Sequence, residues 1–240
     1  MAQLVFSRKE MKYFVPIDRF YEFKAEIDKH MKADEYGEYA ACNVYYDTDV
    51  FNLIRMSLDR PMYKEKLRMR SYGVPGPDSK VFLEIKKKFD GMVYKRRETL
   101  TYTEACDFLD FGIYPEAHDS QIMRELRYFM QLHKPKPKLY LSYDRMAFKG
   151  IAEKDLRLTF DSNIRYRFEN VQLHMGNYGE TLLPPDMHLM EIKMSTAMPL
   201  WLTGLLDDFK IRRTSFTKYG RIYEKEFAKR GGMPISPSVE

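Results

Sequence analysis

The chain has 240 residues, a net charge of +5 from 40 basic and 35 acidic side chains, and 44% hydrophobic residues. This length and apolar content suffice for one large domain with a sizeable core. Its two cysteines, Cys42 and Cys106, exclude a disulfide framework and a CxxC metal site, which indicates a reducing compartment. The first residues soon turn charged and no run of 18 apolar residues occurs, so we expect a cytoplasmic protein without an integral membrane segment.

Helical periodicity occurs in a few separate segments. Apolar residues at spacings of three and four predict helices over Ile17–Met31, Asp119–His133 and Pro199–Phe209, and a short one over Thr103–Phe108. Residues 229–240 contain Gly, Pro and Ser without periodicity, and we expect them to form a flexible tail after a single domain at residues 1–228.

Most other segments have the composition and alternation of strands, and they do not alternate regularly with helices. This excludes a doubly wound parallel sheet and predicts an α+β fold with a large antiparallel sheet or barrel. The Asp90-Gly91 dipeptide predicts one hairpin turn. The predicted strands are Ala41–Asp47, Tyr63–Tyr72, Lys80–Phe89, Met92–Leu100, Lys138–Phe148, Leu156–Tyr166, His188–Met194 and Thr214–Tyr223.

The charges on these strands alternate with apolar residues. Since successive side chains point to opposite faces of a strand, each strand would have one apolar and one charged face. The charged faces are dominated by Lys and Arg, whereas a solvated face usually mixes both signs with Ser, Thr and Gln. A face exposed to water remains the alternative for any single strand. Together, the basic faces predict a surface that binds an anion with several charges, or a tunnel if the sheet closes.

The chain resembles the VTC domain, the polyphosphate polymerase domain of the CYTH or triphosphate tunnel metalloenzyme superfamily. The resemblance extends from about Arg8 to Lys225 and depends on the order of nine short motifs, each weak by itself. These are Arg8-Lys-Glu-Met-Lys-Tyr13, Val44-Tyr-Tyr-Asp-Thr48, Lys66-Leu-Arg-Met-Arg70-Ser-Tyr72, Phe82-Leu-Glu-Ile-Lys86, Tyr94-Lys-Arg-Arg97, Tyr143-Asp-Arg145, Leu156-Arg-Leu-Thr-Phe-Asp161, Leu189-Met-Glu-Ile-Lys193 and Ser215-Phe-Thr-Lys-Tyr219.

The resemblance implies an antiparallel eight-stranded β-barrel, the triphosphate tunnel, with a few helices packed outside. It also implies transfer of the γ-phosphoryl group of ATP to inorganic polyphosphate or pyrophosphate, with Mn²⁺ as the preferred metal and Mg²⁺ as a possible one. The implied catalytic residues are Arg68, Arg70, Arg145, Arg157 and Lys218. The implied phosphate-binding residues are Lys12, Lys66, Lys86, Lys95, Tyr143, Lys193 and Thr217. The implied metal ligands are Glu191, with Glu84 and Glu10 as secondary candidates.

Two positions depart from the family pattern. Thr217 stands where the family often has Ser, which keeps the hydroxyl, and Arg8 stands where the wider superfamily has the first Glu of its opening motif. The second departure favours the polymerase branch over a two-metal hydrolase. For Glu191 the alternative role is an ion pair with Lys193 or an arginine, and Asp161 is expected to orient Arg157 or Arg145.

Three other functions remain open from the sequence. A triphosphate hydrolase of the same fold would use water as the acceptor, and a non-catalytic polyphosphate-binding module would use the same basic face without turnover. A nucleic-acid binder is disfavoured because aromatic residues do not interleave with the basic ones on the predicted faces. The sequence does not indicate an oligomeric state.

Overall fold

The computed structural model describes residues 9–59, 61–90 and 92–230, and only the backbone of Tyr36. Residues 231–240, most of the predicted tail, lie outside this range, as does Arg8 of the first motif. Within the described residues, ten strands and six α-helices follow one another. The strands are β1 (Lys9–Pro16), β2 (Met31–Asp47), β3 (Tyr63–Tyr72), β4 (Lys80–Phe89), β5 (Met92–Thr101), β6 (Lys136–Gly150), β7 (Arg157–Arg167), β8 (Glu180–Thr181), β9 (Met187–Met194) and β10 (Arg213–Thr214). The helices are α1 (Ile17–Ile27), α2 (Asn52–Leu58), α3 (Tyr102–Phe111), α4 (Gln121–His133), α5 (Leu200–Asp208) and α6 (Lys218–Lys229).

All strands join one antiparallel sheet in the order β10-β1-β9-β7-β6-β2-β3-β4-β5, and β8 pairs with β7. The prediction of a closed eight-stranded barrel is therefore wrong: within the described residues, β5 and β10 end the sheet without pairing with each other. The short strand β10 covers the edge of β1 at Lys12 and Tyr13, the edge that β5 would need for closure.

The sheet is nevertheless strongly curved. Side chains of β1 and β4, which are far apart in the strand order, meet where Glu10 lies 3.9 Å from Lys86. A second contact joins β3 to β6, where Arg70 donates a hydrogen bond of 2.8 Å to the Tyr143 hydroxyl. The face that carries these side chains is concave, and contacts across it, instead of backbone hydrogen bonds, connect its two sides.

Helices cover the convex face in two groups. The helices α3 and α4 pack on β2 to β5, where Leu67, Leu83, Phe108 and Leu126 are buried together. The helices α1 and α5 pack on β1, β7 and β9 with Phe23, Phe160, Ile192 and Leu202. Their buried residues recur at helical spacing, and α4 begins at Ser120, whose side chain accepts a hydrogen bond from the Met123 N–H.

The helix α6 packs on the opposite, concave face and covers one end of it. Its Tyr219 and Ile222 lie in a buried cluster with Leu141 of β6 and Leu189 of β9. The sequence prediction of a strand over Thr214–Tyr223 is wrong, because β10 ends at Thr214 and α6 begins at Lys218. The apolar residues Tyr219, Ile222 and Tyr223 have helical spacing, and the neighbouring Arg213-Thr214-Ser-Phe segment masked this pattern.

Most of the other predicted elements agree with the structure within a few residues, but β2 begins at Met31, ten residues before the predicted strand, and β1, β8 and α2 were not predicted. The first helix ends at Ile27 instead of Met31, because Met31 begins β2. The predicted hairpin turn is confirmed, since Phe89 pairs with Met92 around Asp90, whose φ is 43°. In the part of the chain that the structure describes, none of the helices is long and apolar enough to cross a bilayer.

Candidate phosphate-binding site

The concave face divides into two groups of side chains. We call the first the basic wall; it consists of the concave-facing residues Lys64, Lys66, Arg68, Arg70, Glu84, Lys86, Lys95 and Arg97 of β3, β4 and β5. We call the second the carboxylate wall; it consists of Glu10, Lys12, Tyr143, Arg145, Arg157, Asp161, Glu191 and Lys193 of β1, β6, β7 and β9.

Glu84 is the centre of the basic wall. It accepts hydrogen bonds from Arg68 Nε at 2.6 Å and Arg97 Nε at 2.8 Å, and Lys95 Nζ lies 2.7 Å away. Burial alone would raise the pKa of Glu84, but the charges of Arg68, Arg70 and Lys95 hold this pKa far below its usual value. Glu84 therefore stays ionised and fixes the cations around it. Its role as a metal ligand remains a prediction, although its contacts are those of a counterion.

Arg70 connects the two walls. Its Nε donates to Asn43 Oδ1 at 2.8 Å and its Nη2 donates to the Tyr143 hydroxyl at 2.8 Å. The fully buried Asn43 is itself fixed, because its amide donates to the Leu141 carbonyl at 2.9 Å. Both hydrogen-bond partners of Arg70 are neutral groups, and the nearest carboxylate oxygen, of Glu84, lies 4.0 Å from Nε, so the guanidinium is held in place without a direct hydrogen bond to a carboxylate.

Asp161 organises the centre of the carboxylate wall. Its two oxygens accept hydrogen bonds from Arg145 at 2.6 and 2.8 Å, and Lys218 Nζ lies 2.5 Å from one of them. Burial would raise the pKa of Asp161, but Arg145 and Lys218 lower it to about 2. The expectation that Asp161 orients Arg145 is confirmed. Lys218 is the first residue of α6, so this helix places a cation from outside the sheet into the concave face.

Tyr143 lies between three of these cations. Arg145 and Lys218 approach its ring, at 4.8 and 4.4 Å from the ring centre, and Arg70 contacts its hydroxyl. Burial would raise the pKa of Tyr143, but the charges of Arg145, Arg70 and Lys218 outweigh it and lower the pKa to about 8. Because the hydroxyl oxygen accepts from Arg70, its own hydrogen is available to a ligand oxygen.

Two carboxylates lie together near the edge of the carboxylate wall. Glu10 and Glu191 are diagonal neighbours on the paired strands β1 and β9, and Lys193 Nζ lies 3.5 Å from Glu191. Lys12 lies 3.4 Å from Glu10 and donates to the Phe216 carbonyl at 3.0 Å. Burial would raise the pKa of Glu191, but the charges of Lys193, Lys12 and Arg145 keep it well below its usual value.

Glu10 and Glu191 fit a hard divalent cation better than Glu84 does. Mg²⁺-like ions in phosphate sites are typically held by one or two carboxylates, with substrate phosphates and water completing the coordination. Among the described residues, no group of three or more His, Cys, Asp or Glu side chains could hold a metal. A cation at Glu10 and Glu191 would therefore depend on a bound anion for further ligands.

The remaining predicted residues have fewer contacts. Lys66 is paired in register with Lys86, its Nζ lies 5.9 Å from the ring centre of Tyr219, and burial together with Lys64 and Lys86 lowers its pKa to about 8. Arg157 lies beside Lys193 and Lys149 on the neighbouring strands. Thr217 is exposed just before α6, and its side chain does not cap that helix.

The sequence prediction missed several residues that position the arginines. Asn43 holds Arg70, and the Tyr45 hydroxyl accepts a hydrogen bond of 3.2 Å from Arg68. Both residues share one face of β2, so the alternation along Ala41–Asp47 could have identified them. Arg97 was placed on the charged face of its strand but not assigned to the site, although it contacts Glu84 directly.

Comparisons with known proteins agree with this geometry. The model of the VTC domain matches residues 7–227, nearly the whole chain. Vacuolar transporter chaperone complex subunit 4 from Trypanosoma cruzi is 24% identical over 240 residues, an alignment that covers 80% of this chain and 30% of that protein. The chain thus spans about a third of this relative's length.

Solved structures share the fold. A protein from Bacillus halodurans, provisionally described as an adenylate cyclase, has a TM-score of 0.55 at 18% identity over 90% of this chain and 98% of its own. A protein from Hippeastrum, also provisionally described as an adenylyl cyclase and reported with a dominant triphosphatase activity, has a TM-score of 0.50 at 14% identity over 93% and 96%. At these identities the likeness shows the fold alone, whereas the match along residues 7–227 shows the family. The chain belongs to the VTC domain family.

Proposed function

We propose that the protein is a polyphosphate polymerase, an ATP-polyphosphate phosphotransferase that depends on a divalent metal. The observation that supports this proposal best is the convergence of both walls on one concave face. There, Arg145 lies 3.9 Å from Glu191 of the Glu10–Glu191 pair, Asp161 joins Arg145 to Lys218, and Tyr143 joins both to Arg70. Guanidinium and ammonium groups packed this closely together suit an anion that carries several phosphate groups.

The proposed reaction moves one phosphoryl group between phosphate oxygens. The bond between the γ-phosphorus of ATP and the bridging oxygen breaks, ADP leaves, and a terminal oxygen of the acceptor chain forms the new bond to phosphorus. Since the acceptor oxygen is already ionised at neutral pH, no general base is needed. The protein's contribution is in-line positioning and neutralisation of the charge on both groups.

Each group of residues has a distinct part in this scheme. Arg68 and Arg70, held by Glu84, Asn43 and Tyr143, would bind the triphosphate in a fixed orientation. A divalent cation at Glu10 and Glu191, for which we propose Mn²⁺, would neutralise phosphate oxygens.

On the opposite wall, Arg145 and Lys218 are positioned by Asp161 to hold the transferring group. Lys12, Lys86, Lys95 and Lys193, which lie near Glu10, Glu84 or Glu191, would contact the neighbouring phosphates.

A triphosphate hydrolase is the second candidate, because the Hippeastrum protein with the same fold is reported as a triphosphatase. The two activities use the same contacts and differ only in the acceptor. Membership of the VTC domain family, whose resemblance implies polyphosphate synthesis, favours the polyphosphate acceptor. The Trypanosoma cruzi relative is named as a subunit of a vacuolar transporter chaperone complex. Its name applies to a protein much longer than this chain, so a larger assembly is also only a proposal.

The deciding experiment is an incubation of the purified protein with ATP and Mn²⁺, with and without pyrophosphate or a short polyphosphate primer. Products are separated on a gel stained for polyphosphate, while ADP and free phosphate are measured. We expect a ladder of chains with one ADP for each phosphate added. Free phosphate without chains would instead establish the hydrolase, and tight polyphosphate binding without turnover would establish a binding module.

The Glu191→Gln variant tests the metal site within the same assay. We expect turnover to fall by about 100-fold or more, because a group that neutralises developing charge is removed. Binding of polyphosphate in EDTA should persist, since removing a negative charge does not weaken anion binding. Glu98→Gln is the matched control, because Glu98 lies on the convex face and accepts from Ser120 of the α4 N-terminus. Turnover that survives Glu191→Gln unchanged would contradict the assignment.

A further inference from the structure

Three aromatic side chains lie at one end of the concave face, beyond the arginines. Tyr72 is two residues past Arg70 on β3, Phe82 pairs with Arg70 on β4, and Tyr39 on β2 pairs with Arg145. All three therefore belong to the same face as the phosphate-binding cations. We call Tyr39, Tyr72 and Phe82 the aromatic mouth.

The rings of the aromatic mouth form a continuous cluster. The ring centres of Tyr39 and Tyr72 are 5.1 Å apart and those of Tyr72 and Phe82 are 5.5 Å apart, with interplanar angles of 78° and 57°. These are edge and tilted contacts, and Tyr72 remains 49% exposed. The cluster thus leaves aromatic surface open where α6 does not cover the concave face.

A cation completes this arrangement. The Arg97 guanidinium lies 4.4 Å from the ring centre of Phe82 and also interacts with Tyr72. The same Arg97 donates to Glu84, which in turn fixes Arg68. The aromatic mouth is therefore continuous with the phosphate-binding cations through direct contacts.

Inorganic phosphate chains do not explain an exposed aromatic cluster, because they carry no flat apolar surface. A nucleobase does, since stacking on aromatic rings and on arginine is the usual way proteins hold an unpaired base. We propose that the aromatic mouth binds the base of a nucleoside triphosphate, which places the base beside Tyr72 and directs the phosphates toward Glu10 and Glu191. This inference rests on the proposed function and deepens it by assigning the nucleotide an orientation.

The spacing along β4 fits this orientation. Phe82 and Lys86 are four residues apart on one face, about 13 Å at the rise of a strand, and Lys86 contacts Glu10. A nucleotide with its base at Phe82 would pass Arg70, Arg68 and Arg97 with its phosphates before reaching the two carboxylates. The γ-phosphate would then be the group nearest to the candidate metal ligands.

The test compares ligands that share the phosphates and differ in the base. Affinities of ATP, ribose 5′-triphosphate and inorganic triphosphate are measured by calorimetry in one Mn²⁺ buffer, for the wild type and for Tyr72→Ala and Phe82→Leu. We expect the wild type to prefer ATP over ribose 5′-triphosphate, and each variant to weaken ATP binding by about 5- to 100-fold. Inorganic triphosphate affinity should stay within about twofold. Tyr21→Ala, an exposed tyrosine of α1 on the convex side, is the matched control.

The outcomes separate this inference from the proposed function. If the wild type binds ATP no more tightly than ribose 5′-triphosphate, or if the variants weaken ATP and inorganic triphosphate equally, the nucleobase site is refuted while the phosphate site stands. If the wild type binds none of the three ligands, both proposals are refuted. The comparison of wild-type ligands needs no variant, so a folding defect in Tyr72→Ala would not prevent a decision.

Discussion

The basic wall and the carboxylate wall face each other across the concave surface, but they balance charge in opposite ways. On the basic wall, among the described residues, Glu84 is the single carboxylate on the concave side of three strands of Lys and Arg. On the carboxylate wall, Arg145 and Lys218 share Asp161, while Lys12 and Lys193 each lie near a glutamate. The first wall therefore has unbalanced positive charge, and the second is internally paired.

This difference suggests a division of work between the walls. The excess positive charge of the basic wall attracts the polyanion. Because like charges held close together repel each other, the bound polyanion also reduces the repulsion among the cations. The effect is visible on the basic wall, where burial and the neighbouring cations lower the pKa of Lys66 to about 8. Cations that are already paired with a carboxylate attract an anion less, but their positions are fixed, as Asp161 fixes Arg145 and Lys218. The basic wall would thus supply affinity and the carboxylate wall would supply position.

The largest expected effect is at Arg70, the residue that joins the walls. Arg70→Gln removes a guanidinium charge that hydrogen bonds to Asn43 and Tyr143 fix in place, with Glu84 4.0 Å away. We expect turnover of ATP to fall by about 100- to 1000-fold, as for the loss of one preorganised donor to a transition-state oxygen. Steady-state kinetics with Mn²⁺ measure the change. Arg96→Gln is the matched control, because Arg96 is on the convex face of β5 near Glu125 and should change turnover by less than about twofold.

The second prediction concerns stability and separates the two walls. Asp161→Asn leaves Arg145 and Lys218 buried without their countercharge, and removing one partner of a buried ion pair is strongly destabilising. We expect the free energy of unfolding to fall by about 3 kcal/mol. Glu84→Gln should cost less, about 2 kcal/mol: Arg68 and Arg70 stay largely buried beside it, but the side chains of Lys95 and Arg97 are 41% and 36% exposed and can turn to water.

Urea denaturation of both variants measures this difference. Asp207→Asn provides the control for a fully solvated pair, since Asp207 and Arg212 are both about three quarters exposed, and it should change stability by less than about 0.5 kcal/mol. Equal losses in Asp161→Asn and Glu84→Gln would show that the walls are not organised differently. A loss in Glu84→Gln accompanied by tighter triphosphate binding would strengthen the distinction, because the freed cations would then serve the ligand.

Much of the fold was predictable because it depends on local patterns. The alternation in Tyr63–Tyr72 and Lys80–Phe89 reflects the pleat of a strand, so the shared face of Arg68, Arg70 and Glu84 followed from sequence. The family motifs added Glu191 and Lys218, which are far apart along the chain. These residues do converge on the concave face with Asp161 and Arg145.

What could not be predicted depends on long-range packing. Whether a curved sheet closes is decided by the partners of its two outer strands. The strand β10, which pairs with β1, has only two residues, too few to form a recognisable sequence pattern. The same holds for α6, whose first residue contributes a cation to the site only because the helix folds back onto the concave face. The support of Arg70 by Asn43 spans 27 positions and requires the register of β2 and β3.

The smallest expected effect is a pH dependence that arises from the unbalanced charge of the basic wall. Burial lowers the pKa of Lys66 from 10.5 to about 8, and that of Tyr143 on the opposite wall falls from 10.0 to about 8. Both pKa values are lower in the folded chain than in the unfolded one, so between pH 8 and 9 the unfolded chain binds more protons. Stability should therefore rise with pH, by about 1 kcal/mol for each of the two groups from pH 7 to 9.

Triphosphate affinity should change in the opposite direction over the same range. As Lys66 loses its proton above pH 8 it no longer attracts the anion, and we expect affinity to fall by about tenfold between pH 7 and 9. Calorimetry at the two pH values measures the affinity, and urea denaturation measures the stability. Lys66→Met should flatten the affinity profile and remove about half of the rise in stability, because Tyr143 still titrates. Lys87→Met, on the convex face of β4 near Glu125, should preserve both profiles. If affinity rises with pH in the wild type, the basic wall does not supply the attraction assigned to it, because deprotonation of Lys66 would then strengthen anion binding.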